Sequence, residues 1–446
     1  MCFTYGLAVV LVIFEGIIIQ CEGAPRQKYD GPFFPDDVIE LIFSKTDFER
    51  IQEAAREKIV RANGIVMSRI LQDRIILILP EADKRICGNK LGGVTIGNYK
   101  GLESFFEKFG DQVKKISIKL GNIDDPRGKI TQNIIKRYAK NFEDLQIIGF
   151  HLDKFFDGIS DGENVIIFPE VKKFQFKGEI NRNNFKLNLI FPKLEHITLL
   201  GKVADVNCFA NVKGLKELGL FTNTIEEGKL DGIFANNENM TRIGLTQPRR
   251  IETITSIAKH LTKLETLVVL SPGKNFLLRP NNGTACKLPS VTHLSITFHK
   301  MGDEFEIEDL SLNVPHLKKL TLYGYHVHDR IVNFINLFKE LEILELFVKD
   351  YDPIECIEQL KHIREFTTDF YENRFDSLKN MFENFDKKSK LQTFKFLHSE
   401  SLHQKYEKPM EEFNIRLENP MKPTWTLSQE NDIETSQNYL VFRRDP

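Results

Sequence analysis

Tryptophan is almost absent from this 446-residue chain and occurs once, at Trp425. Cysteine is sparse. Cys2, Cys21, Cys87, Cys208, Cys286 and Cys356 are scattered, and no two form a CxxC pair. A disulfide scaffold or a zinc knuckle needs clustered thiols, so both are excluded and buried free thiols are expected. Net charge is missing too, with 61 basic residues against 63 acidic ones. That balance gives no overall pull toward nucleic acid or an anionic membrane, and neither is expected as a partner. Catalytic signatures are also lacking. "LGGVTIG", Leu91 to Gly97, has glycines but no following Lys and no GxGxxG spacing, so it is not a phosphate loop. His326 and His328 have no third ligand and read as surface imidazoles. No catalytic residue, cofactor or metal site is expected, and the chain reads as a binding protein rather than an enzyme.

Long apolar runs are scarce as well. Tyr5 to Ile19 is apolar except for Glu15 and Gly16, and it falls short of the ~20 residues of a membrane span. It resembles a secretory signal with small residues, ending at Gly23, at its end, although no Lys or Arg precedes it. Residues 1–24 are therefore either a signal peptide or an apolar N-terminus.

What the chain has in abundance is phenylalanine, 36 residues of it, and a repeat. The six-residue pattern apolar-x-x-apolar-x-apolar begins at Val113, Leu145, Val171, Leu194, Leu215, Met240, Leu264, Val291, Leu317, Leu341, Ile363 and Leu391. The intervals run from 21 to 32 residues. The alternation at the end of each hit predicts a short strand with one buried face. Helical spacing follows in several intervals: Ile251, Ile254, Ile257 and Leu261; Ile331, Phe334, Ile335 and Phe338; Phe375, Leu378, Phe382 and Phe385. One strand and one helix cannot cover their own apolar faces, so neighbouring units must stack.

The repeats resemble leucine-rich repeats. "LKELGLFTN", Leu215 to Asn223, carries the whole LxxLxLxxN, while Phe or Ile often replaces Leu elsewhere. The resemblance implies an α/β solenoid, a horseshoe with parallel strands on its concave face, over residues 113–398. Residues 72–112 are expected to be a linker or first cap, and 399–446 a C-terminal cap or tail.

Ahead of the repeats, "FPDDVIELIFSKTDF" begins at Phe34. Pro35 suits the first turn of a helix, and Asp36 and Asp37 favour its N-terminus. The segment resembles the start of an F-box, with Phe34, Pro35, Asp37, Val38, Leu41, Ile42 and Phe43 at matching positions. "REKIVRAN" stands where that family has Val-Cys-x-x-Trp. The resemblance implies that residues 33–71 form a small helical module. Its Phe34, Pro35, Val38, Leu41, Ile42 and Phe43 would dock on the adaptor subunit of an SCF-type cullin–RING ubiquitin ligase, while the repeats hold a protein substrate. The alternative is a plain helical cap on the repeat array.

In a horseshoe, the third, fifth and seventh positions of each repeat face the concave side. The seventh positions include Leu200, Phe221, Leu270, Tyr323 and Phe347, expected to be a partner-binding stripe unless the C-terminal segment covers them. Charge is graded on that face, with Lys115, Lys119, Lys173 and Lys177 early and Glu345, Glu365 and Asp369 late. Asn239 and Asn282 open glycosylation triplets. The F-box likeness and the absence of cysteine-rich caps point to the cytoplasm or nucleus. The N-terminal run points to a secreted protein-binding chain with no ubiquitin role. The repeat register makes a checkable demand: Leu218 and Leu267 must lie on the buried strand face, and a structure exposing them would refute it.

Overall fold

The computed structural model divides the chain into two units, Met1–Ile70 and Leu71–Pro446. The residues described are 75–78, 94–96, 99–119, 126–151, 155–156, 167–180, 186–203, 206–209, 211–222, 227–248, 251–271, 286–298, 311, 313–324, 331–348, 360, 362–369, 390–398, 425–432 and 437–444. All belong to the second unit. The signal-like run, the F-box-like residues Phe34 to Phe43, Asn223, Asn282, the His326–His328 pair and the helix expected at Phe375–Phe385 lie outside them.

Among the described residues, sixteen strands form one sheet. They are β1 (Ile75–Ile78), β2 (Val94–Ile96), β3 (Lys115–Lys119), β4 (Asp144–His151), β5 (Lys173–Ile180), β6 (His196–Val203), β7 (Glu217–Thr222) and β8 (Arg242–Thr246). Then come β9 (Thr266–Leu270), β10 (His293–Phe298), β11 (Lys319–Gly324), β12 (Ile343–Val348), β13 (Glu365–Asp369), β14 (Thr393–His398), β15 (Trp425–Asp432) and β16 (Gln437–Arg444). From β3 to β14 each strand pairs in parallel with the next in the chain. This is the strand ladder of a parallel α/β solenoid, the architecture that the repeat implied. The stretch read as a linker or first cap supplies β1 and β2, with β1 between β2 and β3 and parallel to both. Val94–Ile96 of "LGGVTIG" are the strand β2.

Each repeat is locked to the next by the same turn. The Lys114 carbonyl accepts the amides of Glu143 and Asp144, and the Glu143 carbonyl accepts those of Lys172 and Lys173. The scheme continues to Arg364, whose carbonyl accepts Gln392 and Thr393. Register follows from this lock, so core residues align from strand to strand: Phe174 with Ile197, Ile197 with Leu218, Leu218 with Ile243 and Ile243 with Leu267. Leu218 and Leu267 are 1% and 0% exposed, as the sequence demands. Burying such a side chain stabilises by about 1.5–3 kcal/mol.

One repeat is set differently from the sequence reading. Leu145 pairs with Ile116 and Ile147 with Ile118, so the fourth strand reads "FEDLQI" from Phe142, not "LQIIGF" from Leu145. Phe142, Leu145 and Ile147 are buried, and Ile148 moves to the other face. The shift of three residues makes the first two intervals 29 each (142 − 113 and 171 − 142). Two overlapping apolar patterns competed there, and burial of Phe142 decides between them.

The return segments carry α1 (Tyr99–Phe109), α2 (Pro126–Tyr138), α3 (Leu187–Ile190), α4 (Leu230–Ala235), α5 (Ile251–His260) and α6 (Ile331–Ile335). Pro126 opens α2, where a missing amide costs nothing. Glu252 in the first turn of α5 and Lys259 and His260 in its last suit the helix dipole. Ile254, Ile257 and Leu261 are buried beneath it. Much of the phenylalanine is spent on this side. Phe156 meets Phe168 and Phe191 edge-on at 6.0 Å, and Phe174 lies 4.6 Å from Phe191, joining strand to return segment. Cys208 and Cys286 are buried and form no disulfide.

At the far end, β16 pairs antiparallel with β14 and β15 antiparallel with β16. This hairpin extends the sheet, and Phe442 closes the core on Phe396 at 5.9 Å.

Unusual backbone recurs at Gly201, inside β6, and just after β8 and β9. Gly201 has φ +130°, and a Cβ there would lie 2.1 Å from the Gly178 carbonyl oxygen. Gln247 (φ 49°) and Ser271 (φ 52°) hold the left-handed conformation without being glycine. Their amides donate to Leu270 and Thr297 carbonyls at 2.7 and 2.6 Å, which hold the strained turns in place. Gly201→Ala should therefore lower the melting temperature sharply. Gln247→Gly and Ser271→Gly should each change stability by less than ~1 kcal/mol, upward where strain relief exceeds the added unfolded-state entropy. Thermal denaturation of the three variants checks this.

Candidate functional site

The sheet face opposite the return segments carries the third, fifth and seventh positions of each repeat. The predicted stripe forms there as one row. Lys177 pairs with Leu200, Leu200 with Phe221, Thr246 with Leu270, Leu270 with Thr297, Thr297 with Tyr323, and Tyr323 with Phe347. Strands stand ~4.8 Å apart, so these side chains are neighbours although some 25 residues separate them in sequence. Ile148 joins the row between Lys119 and Lys177. The sequence reading missed it because the shifted register put Ile148 in the core.

The members differ in availability. Tyr323 is 40% exposed and stacks on Phe347, with centroids 4.7 Å apart and planes 12° apart. Phe347 is only 8% exposed. It was expected as an open contact residue; the stacked Tyr323 ring makes it instead the support beneath the exposed one. Leu200, Phe221 and Leu270 are half-buried. Phe221 lies flat because the floor beside it is glycine: Gly219 and Gly244 face each other on β7 and β8. A Cβ on Gly244 would come within 2.6 Å of the ring's Cζ, and one on Gly219 within 3.1 Å of Cε2. The signal was in the sequence, as "ELGL" and "RIGL" place a glycine at the same position of adjacent repeats. Toward the C-terminal end, Thr367 and Val441 on this face are buried, so less of it is offered there.

The charges are paired more than their order suggested. Glu345 meets Lys319 at 2.6 Å and accepts a hydrogen bond from Thr321 at 2.7 Å. Glu365 meets Lys395 at 2.6 Å. Glu345 and Glu365 are thus neutralised within the face, which weakens the expected gradient at its acidic end, and the basic end carries a pairing of its own. There Lys173 approaches Asp144 at 3.9 Å. Burial pushes the Asp144 carboxyl above its usual range, against the pull of Lys173, Lys115 and His196. Partial burial raises the Tyr323 phenol to about 12, with the Glu345 carboxylate, Tyr439 and Asp369 adding to it.

On the helix side, Ser256 donates to Asp231 at 2.6 Å, and His260 meets the same oxygen at 3.0 Å. The residue types are those of an acyl-transfer triad, but the order is wrong. The hydroxyl binds the carboxylate, not the imidazole, so His260 is not placed to take its proton. The trio clamps α4 to α5. The Ser256 bond, with help from His260, holds the Asp231 carboxyl below its usual range. Among the described residues no group of three His, Cys, Asp or Glu side chains could hold a metal ion, and no helix is long and apolar enough to cross a membrane. Asn239 is exposed, and its side-chain oxygen accepts a hydrogen bond from Lys263 at 2.7 Å.

The sequence matches no protein-family model, and no curated protein matches it. Among solved structures it is similar to an internalin from Listeria monocytogenes, with a TM-score of 0.36 and 12% identity over 66% of this chain and 87% of that one. So distant a superposition decides nothing about function.

The raised Tyr323 phenol gives a pH prediction. Its proton is held more tightly in the folded chain than in the unfolded one, whose phenol titrates near 10. The stability it contributes is whole below pH ~10 and is lost as pH rises from there through about 12. Phe347→Ala should uncover the ring and bring its titration back toward ~10, read from tyrosinate absorbance against a Tyr323→Phe control.

Proposed function

We propose that this chain is a protein-binding repeat scaffold whose partner contacts the open face of the sheet. The observation that carries this reading is the in-register row from Leu200 to Tyr323, with two aromatic rings fixed in place before any partner arrives. Phe221 lies on a glycine floor, and Tyr323 rests on Phe347. Held rings lose little entropy on binding and offer large contact area, which is what interface anchors require. A solenoid of this kind serves as a scaffold; no catalytic role is assigned to it.

The finer reading is that the chain is the substrate-recognition subunit of an SCF-type ubiquitin ligase, at work in the cytoplasm or nucleus. It is supported by the F-box-like residues Phe34, Pro35, Val38, Leu41, Ile42 and Phe43 alone. They would bind the adaptor while the open face holds the substrate. The competing reading, a secreted binder, rests on the apolar run before Gly23 and on the exposed Asn239.

Expression of the full chain in eukaryotic cells separates them. The ligase reading requires recovery from the cytosol with the adaptor, and loss of the adaptor, at a cost of about 2 kcal/mol or more, in Ile42→Asp with the repeats still folded. Recovery from the medium, cleaved and glycosylated at Asn239, would sink it. For the scaffold reading, Phe221→Ala with Tyr323→Ala should weaken partner capture more than tenfold, about 1.4 kcal/mol, with little change in melting. A large fall in melting would make these residues core instead.

A further inference from the structure

The open face has a basic end with a definite layout. β3 reads Lys115-Ile116-Ser117-Ile118-Lys119, and β5 begins Lys173-Phe174-Gln175-Phe176-Lys177. In both strands the apolar residues are buried. Two lysines, with one uncharged polar residue between them, take the open face. β4 lies between in register: Asp144 falls between Lys115 and Lys173, Gln146 between Ser117 and Gln175, and Ile148 between Lys119 and Lys177. At ~4.8 Å between strands and ~3.3 Å per residue, the four lysine Cα atoms mark a patch of about 10 by 13 Å.

The two edges of the patch differ. Along the first, acids interrupt the bases: Asp144 stands 3.9 Å from Lys173, and Glu217 stands 3.5 Å from His196. Along the second, the neighbour between the lysines is apolar. The order there is Lys119, Ile148, Lys177, Leu200, Phe221, a cationic stretch running into an apolar pair. The middle row, Ser117, Gln146, Gln175 and Thr198, is uncharged, and Ser117 donates to Gln146 at 2.6 Å. Lys173, Lys177 and Lys202 are exposed. At the other end of the sheet, Glu345 and Glu365 are each held by a lysine. Lysine is a flexible point charge that accepts carboxylates without a fixed geometry. Such a row beside apolar side chains complements an acidic chain that carries a hydrophobic residue at one end.

We propose that the β3–β7 part of the open face takes an acidic segment of the partner protein. Asp or Glu side chains lie against Lys119, Lys173 and Lys177, and an adjacent bulky apolar side chain lies against Leu200 and Phe221. The proposal rests on the reading that this face binds a protein and gives that partner its chemistry. The lysines speed association and set direction, and the apolar pair sets residence time.

The test uses the full chain and two labelled peptides followed by fluorescence anisotropy. One alternates Glu and Ser and ends in Leu-Phe; the other has Lys in place of each Glu. The Glu peptide should bind, with affinity falling as salt rises, and the Lys peptide should not. Lys173→Glu with Lys177→Glu should weaken the Glu peptide at least tenfold without lowering the melting temperature, and Lys177→Glu alone, away from Asp144, should act in the same direction. Lys173→Arg with Lys177→Arg should keep binding. Phe221→Ala should weaken the Glu peptide but not a version lacking Leu-Phe. Equal binding of both peptides, binding of neither, or equally tight binding of heparin or of the peptide without Leu-Phe overturns the proposal. Partner capture in the same variants separates the two readings. Loss with Phe221→Ala and Tyr323→Ala but not with the lysine reversals keeps the open face as the binding face and removes the acidic segment. Loss with neither set removes both.

Discussion

One carbonyl per repeat, accepting two amides from the next, fixes where strands β4 to β14 of this solenoid begin. From Lys114 to Arg364 the same bifurcated turn recurs at each step. It is local and indifferent to side chain, so repeats of unequal length still start their strands in line. The slack is taken up in the return segments, which range from the 13-residue α2 to short turns such as α3. With the starting points aligned, leucine, isoleucine and phenylalanine stack in continuous columns, and each repeat buries the apolar edge its neighbour leaves open.

The same alignment makes the open face a composite surface. No repeat holds a site alone: three outward residues per strand are too few to recognise anything. Stacked in register they become rows, and properties emerge that belong to pairs of repeats. Gly219 and Gly244 together form the floor for a ring contributed by Phe221. Phe347 supports a tyrosine from the strand before it. Glu345 is neutralised by a lysine one repeat away. Exposed ion pairs of this kind add little stability.

The helix side shows the complementary use of polar groups. Asn237, at a position that is Val212, Leu261 or Leu288 in other repeats, is buried and fully engaged. Its amide donates to the Val212 and Ile233 carbonyls, and its oxygen accepts from the Leu215 amide. The Ser256–Asp231–His260 clamp does similar work at the surface. Both join one repeat to the next where apolar packing alone would let them slide, and neither gives the chemistry that its residue types would have suggested in isolation.

Read alone, the sequence determined the repeat, its length, the parallel strand ladder and the residues of eleven strands' buried faces, because period-two alternation beside a fixed outer leucine is a local pattern. It also named the row Leu200, Phe221, Leu270, Tyr323 and Phe347, since position within the repeat sets the face. Three things were decided only by tertiary structure. Strand β4 could be set on Leu145 or on Phe142, and only burial of Phe142 against its neighbours chose. Phe347 and Tyr323 occupy the same repeat position, yet one is covered and one exposed, because stacking depends on which side each ring leans. Glu345 and Glu365 look free in sequence and are paired across strands, since Lys319 and Lys395 are distant from them in the chain and adjacent in the sheet. A pattern read along the chain fixes what faces outward; contact between repeats fixes what remains available there.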